Sequence, residues 1–141
     1  MATTTASLTL SSSDLTSDAL SISSTATLYK DGTTVGLDQS SGLNKKVYAA
    51  AQTATVLVDA SNYTAGKNHK VYIKNVGTSS TDAFTIILDA TSLCSSGTAV
   101  ASIGKLYGGD WMFTPWEGRY DIEITTTATN MELEYMVIYE A

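Results

Sequence analysis

The sequence predicts an all-β protein, an antiparallel two-sheet β-sandwich of jelly-roll type with an extended N-terminal arm. Three observations carry this expectation. Apolar and polar residues alternate with period two in at least five segments. Ser and Thr stand where charged side chains would be, so only 16% of the chain is charged against a usual ~25%. Turn residues punctuate the alternation at short intervals, the spacing of strands in packed sheets.

Residues 1–13 read as a flexible arm and 14–141 as one domain. The arm is almost wholly Thr, Ser and Ala, uncharged, with only Leu8 and Leu10 at strand spacing. So little apolar surface gives it nothing to fold around, and its order would come from a neighbour. Leu20, Ile22, Ala26 and Leu28 then share one face, before a Lys30-Asp31-Gly32 turn. Val56 and Val58, Val71 and Ile73, and Phe84, Ile86 and Leu88 continue the alternation. Lys45 to Thr53 holds three alanines but is short and uncapped, so it reads as strand or loop. Tyr120, Ile122 and Ile124, followed by Leu133, Tyr135, Val137 and Tyr139, read as a closing antiparallel hairpin. The expected core is Leu20, Ile22, Leu28, Val56, Val58, Val71, Ile73, Phe84, Ile86, Ile122, Ile124, Leu133, Tyr135 and Val137. Met136 and Ile138 make the outer face of the last strand apolar as well, which implies a cover there.

Fourteen acids against eight bases give a net charge of −6. From Leu106 onward Arg119 is the only base, a field that repels phosphate backbones and argues against nucleic acid as a partner. The N-terminal residues lack the basic and apolar regions of a secretory signal, and no apolar run reaches the ~18 residues of a membrane span. The expectation is a product made in a cytoplasm, without a membrane partner.

Catalytic equipment is sparse. His69 lies between Asn68 and Lys70 and reads as an exposed residue at a strand entrance. Cys94 is the single cysteine, with no base nearby to activate it, and reads as a structural thiol. One His and one Cys cannot complete a zinc shell, and neither a calcium-loop motif nor a phosphate-binding loop is present. Glu132 and Glu134 share a strand face in the manner of a solvated outer surface. No catalytic residue, metal ligand or cofactor is therefore assigned, and the chain is read as not an enzyme.

The bulkiest side chains gather in Tyr107-Gly108-Gly109-Asp110-Trp111-Met112-Phe113-Thr114-Pro115-Trp116-Glu117-Gly118. Trp111 and Phe113 share a strand face, and Pro115 is expected to stop pairing by lacking an N–H. Three uses of Trp111, Phe113 and Trp116 stay open: a plug at one end of the fold, an anchor for a protein partner, or a stacking platform for sugar rings. Together with Leu8, Leu10, Met136 and Ile138 they form the candidate interface set.

The segment Ile103 to Gly118, followed by Asp121-Ile122 and Glu134-Tyr135, resembles small virion structural proteins of tailed bacteriophages, particularly those of cyanobacteria and marine bacteria. Val71-Tyr72-Ile73-Lys74-Asn75 and its Gly-Thr-Ser-Ser turn resemble them too, so the likeness runs from Val71 to the end. It implies a head decoration (cement) protein on the capsid exterior, bound to the major capsid protein as a homotrimer. Tail or fibre proteins share the style, and a lectin-like domain that binds host glycan is the rival class.

Overall fold

The structure, a computed structural model, describes residues 3–15, 18–88 and 101–141. It is all-β, with two multi-stranded antiparallel sheets and a separate two-stranded ribbon. The chain divides into two compact units, Met1–Asp38 and Gln39–Ala141.

In the first unit, β1 (Thr4–Ser12) pairs with β2 (Leu20–Leu28) over nine residue pairs. The segment read as an arm thus supplies a strand, and the neighbour that orders it is β2 of the same chain. Sequence reasoning passed over β1 because main-chain hydrogen bonds hold a ladder without apolar side chains. Beyond β2, Leu37 donates its N–H to Leu28 O at 2.8 Å and Lys30 pairs with Asp38 at 2.9 Å.

The second unit holds β3 (Gln39–Ser40), β4 (Asn44–Tyr48), β5 (Gln52–Val58), β6 (His69–Asn75), β7 (Phe84–Leu88), β8 (Ala101–Leu106), β9 (Trp111–Trp116), β10 (Ile122–Thr126) and β11 (Met131–Tyr139). One sheet has the order β5-β10-β7-β8; in the other, β3 and β4 both pair with β11, which is followed by β6 and β9. Inward residues of both sheets form one hydrophobic cluster that includes Val71, Ile73, Leu133 and Val137 from one sheet and Phe84, Ile86, Ile122 and Ile124 from the other. The Tyr48 and Phe84 rings meet across it with centroids 5.8 Å apart.

Several expectations are corrected. β10 and β11 do not form a hairpin: β10 pairs with β5 and β7, whereas β11 belongs to the other sheet. The connection carries Asn130 at φ 55°, a left-handed turn that crosses between sheets. Ile22 and Val56 are exposed, and Leu20 and Tyr135 are only partly buried. At Val56 the cause is a register shift between β5 and β10, which turns Leu57 inward beside Val58 and breaks period two. Pro115 does not stop pairing, since His69 still faces Trp116. Among the described residues β9 is an edge strand, where an N–H directed away from β6 has no ladder partner to lose.

The glycine pair of the aromatic segment is explained by the passage from β8 to β9. A Cβ on Gly108 would lie 2.6 Å from the backbone of Thr78 and Ser79, and Gly109 has φ +86°. The Asp110 carboxylate accepts the Tyr107 N–H at 3.0 Å and closes the turn. The reading of Cys94 falls outside the described residues.

Candidate functional site

The outer face of the β11-containing sheet is assembled by register. Tyr72 of β6 stands between Phe113 of β9 and Met136 of β11, so three half-buried apolar side chains form one row across three strands. The row beside it runs Trp111–Lys74–Glu134–Lys45, and the row on the other side runs Pro115–Lys70–Ile138–Ser40. Alternation fixes this outcome: Val71 and Ile73 must point into the core, so Lys70, Tyr72 and Lys74 point out.

Charges frame the apolar row with alternating sign. Lys45 Nζ lies 2.9 Å from Glu132, whose carboxylate raises the lysine's proton affinity, first by hydrogen bonding and then by Coulomb attraction. Burial pushes the Tyr72 hydroxyl up, with the Glu134 charge adding to it. Burial lowers Lys70, whose ammonium donates to Asn68 Oδ1. A partly desolvated lysine suits a surface that a partner covers, because part of its desolvation has already been met.

The candidate residues separate into distinct places. Trp111 is 54% exposed on the outer face, two residues along β9 from Phe113 and opposite Lys74. Trp116 is 6% exposed and lies on the core side, its Nε1–H donating to Tyr120 O at 2.9 Å. The three rings of the aromatic segment are therefore not one cluster, since position 116 has opposite strand parity to 111 and 113. Ile138 is on the outer face but is only 7% exposed within the single chain. Leu8 and Leu10 lie on β1, in the other compact unit. Tyr72, Lys70 and Lys74 complete the face and escaped notice; the pairing of β6 with both β9 and β11, which sequence does not announce, brings them in.

His69 is not the exposed residue that its place at a strand entrance suggested. It is wholly buried, with Nε2 2.9 Å from Thr64 O and Nδ1 accepting the Glu140 N–H at 3.1 Å. Tyr63, Trp116 and Tyr139 pack around it. Lys67 beside it pairs with Glu140 at 3.0 Å.

A groove of about 610 Å³ lies along Thr114, Pro115, Trp116, Tyr120 and Ile122. Among the described residues no His or Cys lines it, and no group of three or more His, Cys, Asp or Glu is placed to hold a metal. No protein-family model, curated protein or solved structure matches the chain.

Proposed function

We propose that this chain is a non-catalytic virion structural protein that attaches to a phage capsid and stabilises it from outside. Its partner is the major capsid protein, and its two sheets form a jelly-roll-like sandwich serving as a rigid carrier. The observation that supports this reading is the Phe113–Tyr72–Met136 row, an apolar strip that Trp111, Pro115 and Ile138 extend and that Lys45, Lys70, Lys74, Glu132 and Glu134 border. Aromatic anchors within a polar rim have the anatomy of a protein-binding surface. Weak contacts of this kind, repeated over a symmetric shell, gain strength by multivalency. The resemblance of the Ile103 to Gly118 segment to decoration proteins supplies the identity of the shell.

Co-sedimentation with assembled head shells stripped of this protein tests the reading. The native chain is expected to bind and to raise the shell's thermal stability. Phe113→Ala combined with Met136→Ala should weaken binding by roughly 30-fold or more. Undiminished binding by that variant would remove the sheet face from consideration, and no binding by the native chain would remove the capsid role.

A second reading is favoured by Trp111 alone. An indole 54% exposed beside Lys74 is a stacking platform for a sugar ring. On a glycan array, signal that disappears with Trp111→Ala would make the protein a lectin-like or tail-fibre domain instead.

A further inference from the structure

The β1–β2 ribbon is two-faced in a way that period alone did not reveal. Its register sets Thr4 opposite Leu28, Ala6 opposite Ala26, Leu8 opposite Ser24, Leu10 opposite Ile22 and Ser12 opposite Leu20 on one face. The other face carries Thr5–Thr27, Ser7–Thr25, Thr9–Ser23 and Ser11–Ser21, hydroxyl side chains without exception. Neither strand has a charged residue. Leu28 at one end of this face is buried, while Leu8 is 47%, Leu10 51% and Ile22 45% exposed, so the exposed apolar stretch is centred on the Leu8–Ser24 pair. A two-stranded ribbon is marginal in water unless its apolar face is covered.

Two features identify the cover. A face with no charge offers nothing to a charged partner, and its complement must be equally apolar and uncharged. The same ribbon on another copy of the chain has that character. Neutrality also matters between copies that each carry −6, which repel wherever their charged surfaces approach. The second feature is size. When two ribbons are related by a two-fold axis through the central Leu8–Ser24 pair, Leu10–Ile22 of one copy comes over Ala6–Ala26 of the other. Bulky pairs then meet small ones, as close packing between facing sheets requires.

We infer that the apolar face of the β1–β2 ribbon is this protein's self-association surface, covered by the same face of another copy of the chain. This does not depend on the capsid reading, and it moves the contact between copies away from the aromatic segment and the closing strand.

Sedimentation velocity on the intact chain is the first test, and an assembly larger than a monomer is expected. Leu10→Asp should weaken self-association by roughly a hundredfold or more, because an unpaired carboxylate would be buried. Ser23→Asp, on the hydroxyl face, should leave it unchanged. Tryptophan emission from Trp111 and Trp116 checks that the second unit stays folded in both variants. In a Cys94→Ser background, Leu8→Cys should oxidise to a covalent dimer while Ser7→Cys stays monomeric under the same conditions. A native chain that remains monomeric at every concentration, equal disruption by Ser23→Asp, or equal cross-linking by Ser7→Cys would each overturn the inference. Loss of shell binding with self-association intact would instead count against the capsid role alone.

Discussion

The backbone N–H of Glu140 donates to Nδ1 of His69 at 3.1 Å, fastening the chain just beyond β11 to the first residue of β6. A backbone N–H can only donate, so Nδ1 must be the unprotonated nitrogen. Nε2 then carries the hydrogen and gives it to Thr64 O at 2.9 Å. The ring is a neutral bracket between three segments, with Lys67 and Glu140 paired beside it.

Removing that bracket should be expensive. His69→Leu leaves one buried N–H and one carbonyl without their partner and is expected to cost about 2–4 kcal/mol in urea unfolding. Gly118→Ala should act on the same place, since Gly118 has φ +71° and its Cβ would sit 2.8 Å from the His69 ring. A cost of about 1–3 kcal/mol is expected. Native stability in both variants would show that the bracket contributes nothing.

Tyr48 offers the opposite case. Its hydroxyl is buried without a hydrogen-bond partner among the described residues, and burial, reinforced by Tyr135, pushes it up to about 12. Tyr48→Phe should stabilise the fold by about 1 kcal/mol, because the orphaned group is removed while the ring contact with Phe84 remains. The sign at alkaline pH follows from linkage. The folded value lies above the ordinary 10, so the contribution is whole below pH 10 and is lost as pH climbs toward about 12. Denaturation midpoints should therefore fall less steeply across that window in Tyr48→Phe than in the native chain. Burial also raises Tyr63 and Tyr72, so some slope should persist.

The two tryptophans report separately on surface and core. Trp111 should emit at longer wavelength and be quenched by iodide, whereas Trp116, 6% exposed, should resist quenching. Trp111→Phe is expected to remove the quenchable component at little cost in stability. Trp116→Ala should cost about 3–5 kcal/mol.

Much of this architecture was legible because burial on one face imposes period two. Val71 and Ile73, Ile122 and Ile124, and Leu133 and Val137 announced themselves in that way. What stayed hidden depends on pairing between distant strands. The sequence cannot show that β6 lies between β9 and β11, so Tyr72 did not appear as the centre of a row. Nor can it show a bulge, and Val56 and Leu57 exchanged faces for that reason. Of the ribbon, β2 was legible in its alternation and β1 was not: its ladder is held by backbone, and Ser and Thr look alike in an arm and in a strand. His69 was misplaced because a polar residue at a strand entrance reads as exposed, while the partners that make its burial tolerable come from Thr64 and Glu140.

Register also separates two residues that share the outer face of β11. Met136 is half-buried next to Tyr72, whereas Ile138, facing Lys70, is 7% exposed in the single chain. A carboxylate at 138 would be enclosed with only a partly desolvated lysine opposite, so Ile138→Asp should cost about 3–5 kcal/mol and lower the melting temperature of the chain itself. Phe113→Asp, on the edge strand β9, places its charge where water reaches it and should cost about 1 kcal/mol or less. The two variants therefore exchange phenotypes: the first loses its fold, and the second keeps its fold but loses attachment through the sheet face. Calorimetry beside co-sedimentation separates them. An Ile138→Asp protein that melts like the native chain would mean that this end of β11 is open, and the docking face would then extend along the whole strand.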